Sequence, residues 1–258
     1  MGKFIELSAA DGQRIPAYLA EPASKPKAAV IVLQEIFGVN SHIRSVADGY
    51  AAAGYLALAP ATFHRVQPGV DLGYTEADMN AGFALKTAVD ALPAANAATG
   101  RPEQDQPPGG ATQYAERPAW GQPKVMQDIQ AAINYAAQAC AGGKVGIVGY
   151  CWGGLLTWRA AADLSGLSAA VPYYGGGMTA GDEPARQSAC PVLAHFGDQD
   201  HWIPLPSIEA FKKAQPGVQV HIYAANHGFN CEQRGSYNEA AAKLAKTRTL
   251  EFFAQHLS

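Results

Sequence analysis

The stretch KVGIVGYCWGGLLTWRAAA, residues 144–162, decides the fold. Lys144 to Val148 is a short apolar run of the kind buried in a parallel sheet, and Gly153 to Ala162 has a helical pattern. Between them, Gly149 and Gly153 stand two residues either side of Cys151. A strand that turns sharply into a helix needs glycine on both sides of the bend, because side chains there would collide with neighbouring backbone. The residue at the bend sits at a helix N-terminus, where negative charge is favoured and a thiolate is well placed. Cys151 therefore reads as a nucleophile rather than as a small apolar residue packed at a bend. The backbone N–H of Trp152 would point at a developing oxyanion.

The same rhythm extends in both directions. Ala28 to Leu33, Tyr55 to Pro60, Ala169 to Tyr174, Val192 to Phe196 and Val218 to Tyr223 read as strands. Helical patterns run from Ser41, a plausible N-cap, to about Ala53, then from about Lys124 to Cys140, Leu205 to Ala214 and Tyr237 to His256. This alternation predicts an α/β fold, with a mostly parallel central sheet and helices on both faces. The first 20 residues suggest an antiparallel hairpin at one edge, turning at Ala10-Asp11-Gly12-Gln13. A single domain over 1–258 is expected, interrupted by a Pro/Gly-rich insertion at about 93–123 that reads as a lid or surface loop.

Bulk properties narrow the function. The 258 residues are 48% hydrophobic and 16% charged, enough for a sizeable core. Net charge is −3 and no basic cluster stands out, which argues against nucleic-acid binding. No apolar run approaches the roughly 18 residues of a membrane span. The N-terminus lacks an apolar signal region, and Glu6 occupies the place where a myristoylation motif wants Ser or Thr. The four cysteines, Cys140, Cys151, Cys190 and Cys231, form no CxxC pair, so neither a metal site nor a disulfide framework is expected. Free thiols suggest a cytoplasmic protein.

A thiol nucleophile needs a base, and the base needs an orienting group. Gly197-Asp198-Gln199-Asp200-His201-Trp202-Ile203-Pro204 follows the strand Val192 to Phe196, so its carboxylates lie at the C-terminal sheet edge. Asp200 is the better acid, because Ile203-Pro204 is the usual tail of an acid-bearing turn, while Asp198 suits the turn itself. His227 stands just after the strand Val218 to Tyr223, in the loop before the last helix, where a general base belongs. His195 and His221 lie within strands and read as structural. After the first central strand comes Gln34-Glu35-Ile36-Phe37-Gly38-Val39-Asn40. The N–H of Ile36 is the candidate second oxyanion donor. Glu35 is an acid in an apolar stretch: either a solvated loop residue or, if buried, a group able to share a proton with the thiol.

Together with Gly149-Tyr150-Cys151-Trp152-Gly153-Gly154, Asp200-His201-Trp202-Ile203-Pro204 and His227-Gly228-Phe229, that segment resembles the dienelactone hydrolase (carboxymethylenebutenolidase) family of the α/β-hydrolase superfamily. The resemblance covers nearly the whole chain apart from the Pro/Gly-rich stretch before residue 123. It implies an α/β-hydrolase fold, a Cys151–His227–Asp200 triad, and a Glu35 that bonds the resting thiol until substrate releases it to take the thiol proton. It implies no metal and no organic cofactor. Two arginines hold the substrate carboxylate in the family's best-known members. In this chain Tyr74 to Leu85 has no arginine, and Cys231 stands four residues after His227, where the second is expected. Arg101, Arg117 and Arg234 are the candidate replacements.

The expected function is cysteine-dependent hydrolysis of a small lactone or ester through a thioester, by a monomer or small homo-oligomer. Thiolates expel alkoxides or enolates more readily than amines, which favours esters over amides. Phe37, Trp152, Tyr173, Tyr174 and Trp202 suit a flat or unsaturated acyl group, with core packing an equal alternative for the two tyrosines. Without the usual arginines, an uncharged lactone should compete well with a dienelactone, unless Arg101, Arg117 or Arg234 points at Cys151. A different class of function, a redox-sensing thiol protein using Cys151 on the same fold, is the alternative.

Overall fold

Strand β5 (Val145–Tyr150) is buried at every residue, as its continuous apolar run requires. The computed structural model describes residues 2–93 and 123–258; the remainder of the expected insertion, with Arg101 and Arg117, lies outside them. Around β5 are β1 (Lys3–Ser8), β2 (Arg14–Ala20), β3 (Ala29–Leu33), β4 (Leu56–Pro60), β6 (Leu167–Tyr173), β7 (Leu193–Gly197) and β8 (Gln219–Tyr223). Among the described residues they form one eight-stranded sheet in the order β1-β2-β4-β3-β5-β6-β7-β8. All pairings are parallel except β1 with β2 and β2 with β4. The edge hairpin turns between Ser8 and Arg14, as the sequence indicates.

The helices are α1 (Ser41–Ala52), α2 (Glu76–Asp90), α3 (Lys124–Ala139), α4 (Trp152–Asp163), α5 (Leu205–Ala214) and α6 (Glu239–His256). Parallel crossovers are right-handed. The step β3–α1–β4 runs toward one edge of the sheet and β5–α4–β6 toward the other, so α1 and α4 cover opposite faces. Tyr50 of α1 meets Phe253 of α6, their ring centroids 6.1 Å apart, on one of those faces. The strands β3 and β5 are neighbours whose chains leave in opposite directions, and their C-terminal ends open the crevice where this topology binds ligands.

Local chemistry sets the boundaries. The N-cap of α1 is Asn40, not Ser41: its side chain accepts from the Ile43 N–H at 3.2 Å. The helix α2 has no counterpart in the sequence reading. It starts on a capping box in which Thr75 and Asp78 satisfy each other's backbone N–H groups. No helix among the described residues is long and apolar enough to cross a membrane.

Candidate active site

Cys151 has φ 55°, a left-handed conformation for a residue with a side chain, and caps the N-terminus of α4. A Cβ on Gly149 would run into the Gly153 carbonyl, and one on Gly153 into the carbonyls of Gln34 and Leu33. The two glycines let β5, α4 and the end of β3 pack backbone to backbone, and this packing holds the strained bend. Cys151 is the one member of the tight turn left partly exposed between buried neighbours.

Opposite the bend, His227 is 7% exposed and its Nδ1 lies 2.7 Å from Asp200 Oδ2. The other carboxylate oxygen of Asp200 accepts from the N–H groups of Trp202 at 2.8 Å and Ile203 at 3.2 Å, which fixes its orientation. Asp198 is exposed. Burial works against a charge on the His227 ring, but the facing Cys151 sulfur, the Asp200 hydrogen bond and a hydrogen bond to Cys151 push its pKa up to about 10. The ring of Tyr174, itself at φ 35°, stands edge-on to His227 at 5.1 Å. His195 is buried within the sheet, bonded to Tyr223 and Thr249, as its strand position suggests.

Glu35 and Ile36 follow β3. Glu35 is 1% exposed, and its Oε1 accepts from Arg234 Nη1 at 3.2 Å. Burial opposes the charge on Arg234; the Glu35 carboxylate and the Cys151 sulfur more than restore it. The Arg234 guanidinium also lies over the Phe37 ring, 5.6 Å from its centroid.

These groups line one pocket of about 180 Å³: Cys151 and His227 with Ile36, Phe37, Trp152, Trp202 and Arg234. Arg234 thus occupies the wall that the Cys231 position leaves uncharged. Tyr173 is the exception and needs correcting. It is 1% exposed, its hydroxyl pairs with Thr249 at 2.7 Å, and it belongs to the core, because neighbouring strand residues face opposite ways. Its neighbour Tyr174 takes the place beside His227.

The rest of the wall was not foreseen. Met79, Phe83 and Lys86 line the pocket from one face of α2, with Gly176 and Gly177 opposite. A Cβ on Gly82 would meet the Ile36 carbonyl, so glycine there lets α2 lie against the loop after β3. Lys86 supplies a second cation, paired with Asp90 at 2.6 Å. The signal was present in the capping box and in the spacing of 79, 83 and 86.

Comparison with known proteins gives the family. Residues 15–257 match the family model described as the dienelactone hydrolase family. The chain is 32% identical over 255 residues to a carboxymethylenebutenolidase of Pseudomonas putida, covering 97% of this chain and 95% of the relative. A crystal structure from Klebsiella pneumoniae, assigned as a dienelactone hydrolase, matches with TM-score 0.74 at 28% identity over 99% of this chain and 98% of that one. A dienelactone hydrolase-like promiscuous phosphotriesterase from metagenomic libraries, with TM-score 0.70 and 20% identity, covers 100% of this chain and 99% of its own, and shares the fold.

Proposed function

The chain belongs to the dienelactone hydrolase family, and from that premise we propose that Cys151, His227 and Asp200 act as a triad that hydrolyses small lactones or esters through a thioester. One observation carries this reading: a thiol in a strained strand-to-helix bend shares a pocket with an imidazole whose far nitrogen is held 2.7 Å from a buried carboxylate.

The geometry supports the following steps. A substrate carboxylate competes with Glu35 for Arg234. The released Glu35 takes the thiol proton, while His227 keeps its own proton beside Asp200. The thiolate bonds to the acyl carbon, and the oxyanion lies against the N–H groups of Ile36 and Trp152. Collapse breaks the ester C–O bond, and His227, protonated beside Asp200, gives its proton to the departing alkoxide or enolate. His227 then draws a proton from water, which attacks the thioester carbon; the C–S bond breaks, and Glu35 returns its proton to the departing thiolate. Asp200 orients the ring and stabilises its cation throughout.

The pocket suits a small, flat, acidic acyl group. Phe37, Phe83 and Trp202 supply apolar faces, and Arg234 and Lys86 supply positive charge. With Arg234 in the same pocket as Cys151, a carboxylate-bearing lactone should outcompete an uncharged one. The redox-sensing alternative gains no support; all four cysteines are free thiols.

The test is a panel of a dienelactone, an uncharged lactone and aryl esters, with intact-protein mass measured during turnover of a slow ester. An acyl adduct on wild type that is absent from Cys151→Ala supports the reading; full turnover by Cys151→Ala ends it.

A further inference from the structure

Glu35 also belongs to a second group of side chains, whose other members the acyl-transfer steps do not use. His42, from α1, is 1% exposed, and Cys231, in the loop beyond His227, is fully buried. A carboxylate oxygen of Glu35, a ring nitrogen of His42 and the Cys231 sulfur all lie within 4.8 Å of one another. His42 Nδ1 is 2.8 Å from Glu232 Oε2, while His42 Nε2 is buried without a hydrogen-bond partner among the described residues. The same holds for Glu35 Oε2, although Oε1 is taken by Arg234. Two buried polar atoms left unpaired are costly, and their presence on side chains clustered with a thiol calls for a ligand that accepts lone pairs from all three residues.

We propose that Glu35, His42 and Cys231 bind a thiophilic divalent cation, zinc by donor type, and that this ion restrains the enzyme by withdrawing Glu35 from the thiol chemistry. One sulfur, one imidazole and one carboxylate form a tetrahedral zinc set with the fourth position open to water. Ligand atoms around such an ion lie roughly 3.3–3.7 Å apart, so the three side chains close by about 1 Å. The outer shell is already in place. Glu232 fixes the His42 tautomer so that Nε2 carries the lone pair, and Arg234 steadies the far oxygen of Glu35. Binding forms the metal–sulfur bond and releases the thiol proton. Two anionic ligands cancel the ionic charge. A separate cavity of about 180 Å³, lined by His42, Asn230, Glu232 and Tyr237, offers the way in. It reaches solvent at Tyr237, 40% exposed.

The restraint rests on the role proposed for Glu35; the binding does not. The experiment is a cobalt(II) titration of the full chain, read by the sulfur-to-cobalt charge-transfer band and the visible bands of tetrahedral cobalt, with zinc as competitor. One equivalent should bind, with release of about one proton. Cys231→Ser and His42→Asn should lose the band, weakening affinity by more than about 100-fold, with far-ultraviolet dichroism reporting that each variant is folded. Glu232→Gln, at an exposed position that tolerates change, should weaken it about 10- to 100-fold. Cys151→Ala should keep the band. A band that persists in Cys231→Ser or disappears in Cys151→Ala overturns the site, as does its absence from wild type at millimolar cobalt. In parallel, zinc should slow aryl ester hydrolysis by wild type more than by Cys231→Ser. Equal slowing overturns the restraint while the cobalt band still reports the site, and a chain inactive on every ester counts against the proposed function alone.

Discussion

Arg234 and Glu35, 199 residues apart in the chain, form an ion pair in which the guanidinium Nη1 lies 3.2 Å from a carboxylate oxygen that is all but inaccessible to water. The pair joins the loop after β3 to the loop after β8, and Arg234 also lines the pocket that holds Cys151. An arginine seven residues beyond His227 reaches the pocket wall because the turn between them folds back. Buried charges held this way are worth more for placement than for stability.

Replacing Arg234 by methionine should lower kcat/KM for a carboxylate-bearing lactone by about 10- to 150-fold, the worth of one charged hydrogen bond. An uncharged aryl ester should lose less, and Arg234→Lys should recover part of the difference. Steady-state kinetics on matched charged and neutral substrates checks this; equal losses on both would remove Arg234 from substrate recognition.

Cys151→Ala should be inactive, and Cys151→Ser should keep only a small fraction of wild-type turnover. The serine hydroxyl is a far weaker nucleophile unless its surroundings are built to activate it. Burst-phase kinetics with an aryl ester gives the acylation amplitude for each variant directly.

Gly153→Ala should destabilise the fold by about 3 kcal/mol, the upper end for added bulk in a packed interior. Its new methyl would meet two backbone carbonyls, which cannot rotate away as a side chain would. Gly217→Ala, where nothing lies near the new atom, is the control. Urea unfolding of both variants decides the matter, and similar midpoints would mean that the bend is looser than its contacts imply.

His227 should stay protonated through neutral pH and titrate near 10. Its unfolded reference is about 6.5. A histidine raised on folding contributes stability that is complete below the unfolded value and fades as pH climbs toward the folded one, so the molecule should weaken between about 6.5 and 10. Cys151→Ala removes the strongest influence raising the ring and Asp200→Asn the next, so both should lower this titration and flatten the stability profile. Imidazole proton resonances followed against pH report the ring; a wild-type ring that titrates near 6.5 would remove the linkage.

The order of strand, bend and helix around Cys151 was legible because continuous apolar runs mark buried parallel strands and paired glycines mark the bend. Asp200 and His227 could be read for the same reason: each follows a strand end, and strand ends converge in this topology. Helix α2 was not legible, because it buries only Gly82 and Val89, and most of its face is turned to solvent or pocket. Tyr173 was misplaced because two adjacent tyrosines at a strand end give no sign of which faces the core. Ser41 and Asn40 are both good caps, and the choice fell to Asn40, whose amide also binds the Leu72 carbonyl and the Tyr74 hydroxyl across the loop. Arg234 was named, but only folding brought it to Glu35.

The wall built by Met79, Phe83 and Lys86 hangs on a single helix, whereas Cys151, Asp200 and His227 sit in loops that follow strand ends of the sheet. On the proposed function, side chains that would choose the acyl group can therefore be exchanged without disturbing those that would break the bond. Libraries confined to the outward turns of that helix, with Gly82 left untouched, offer a direct route to enzymes with new preferences.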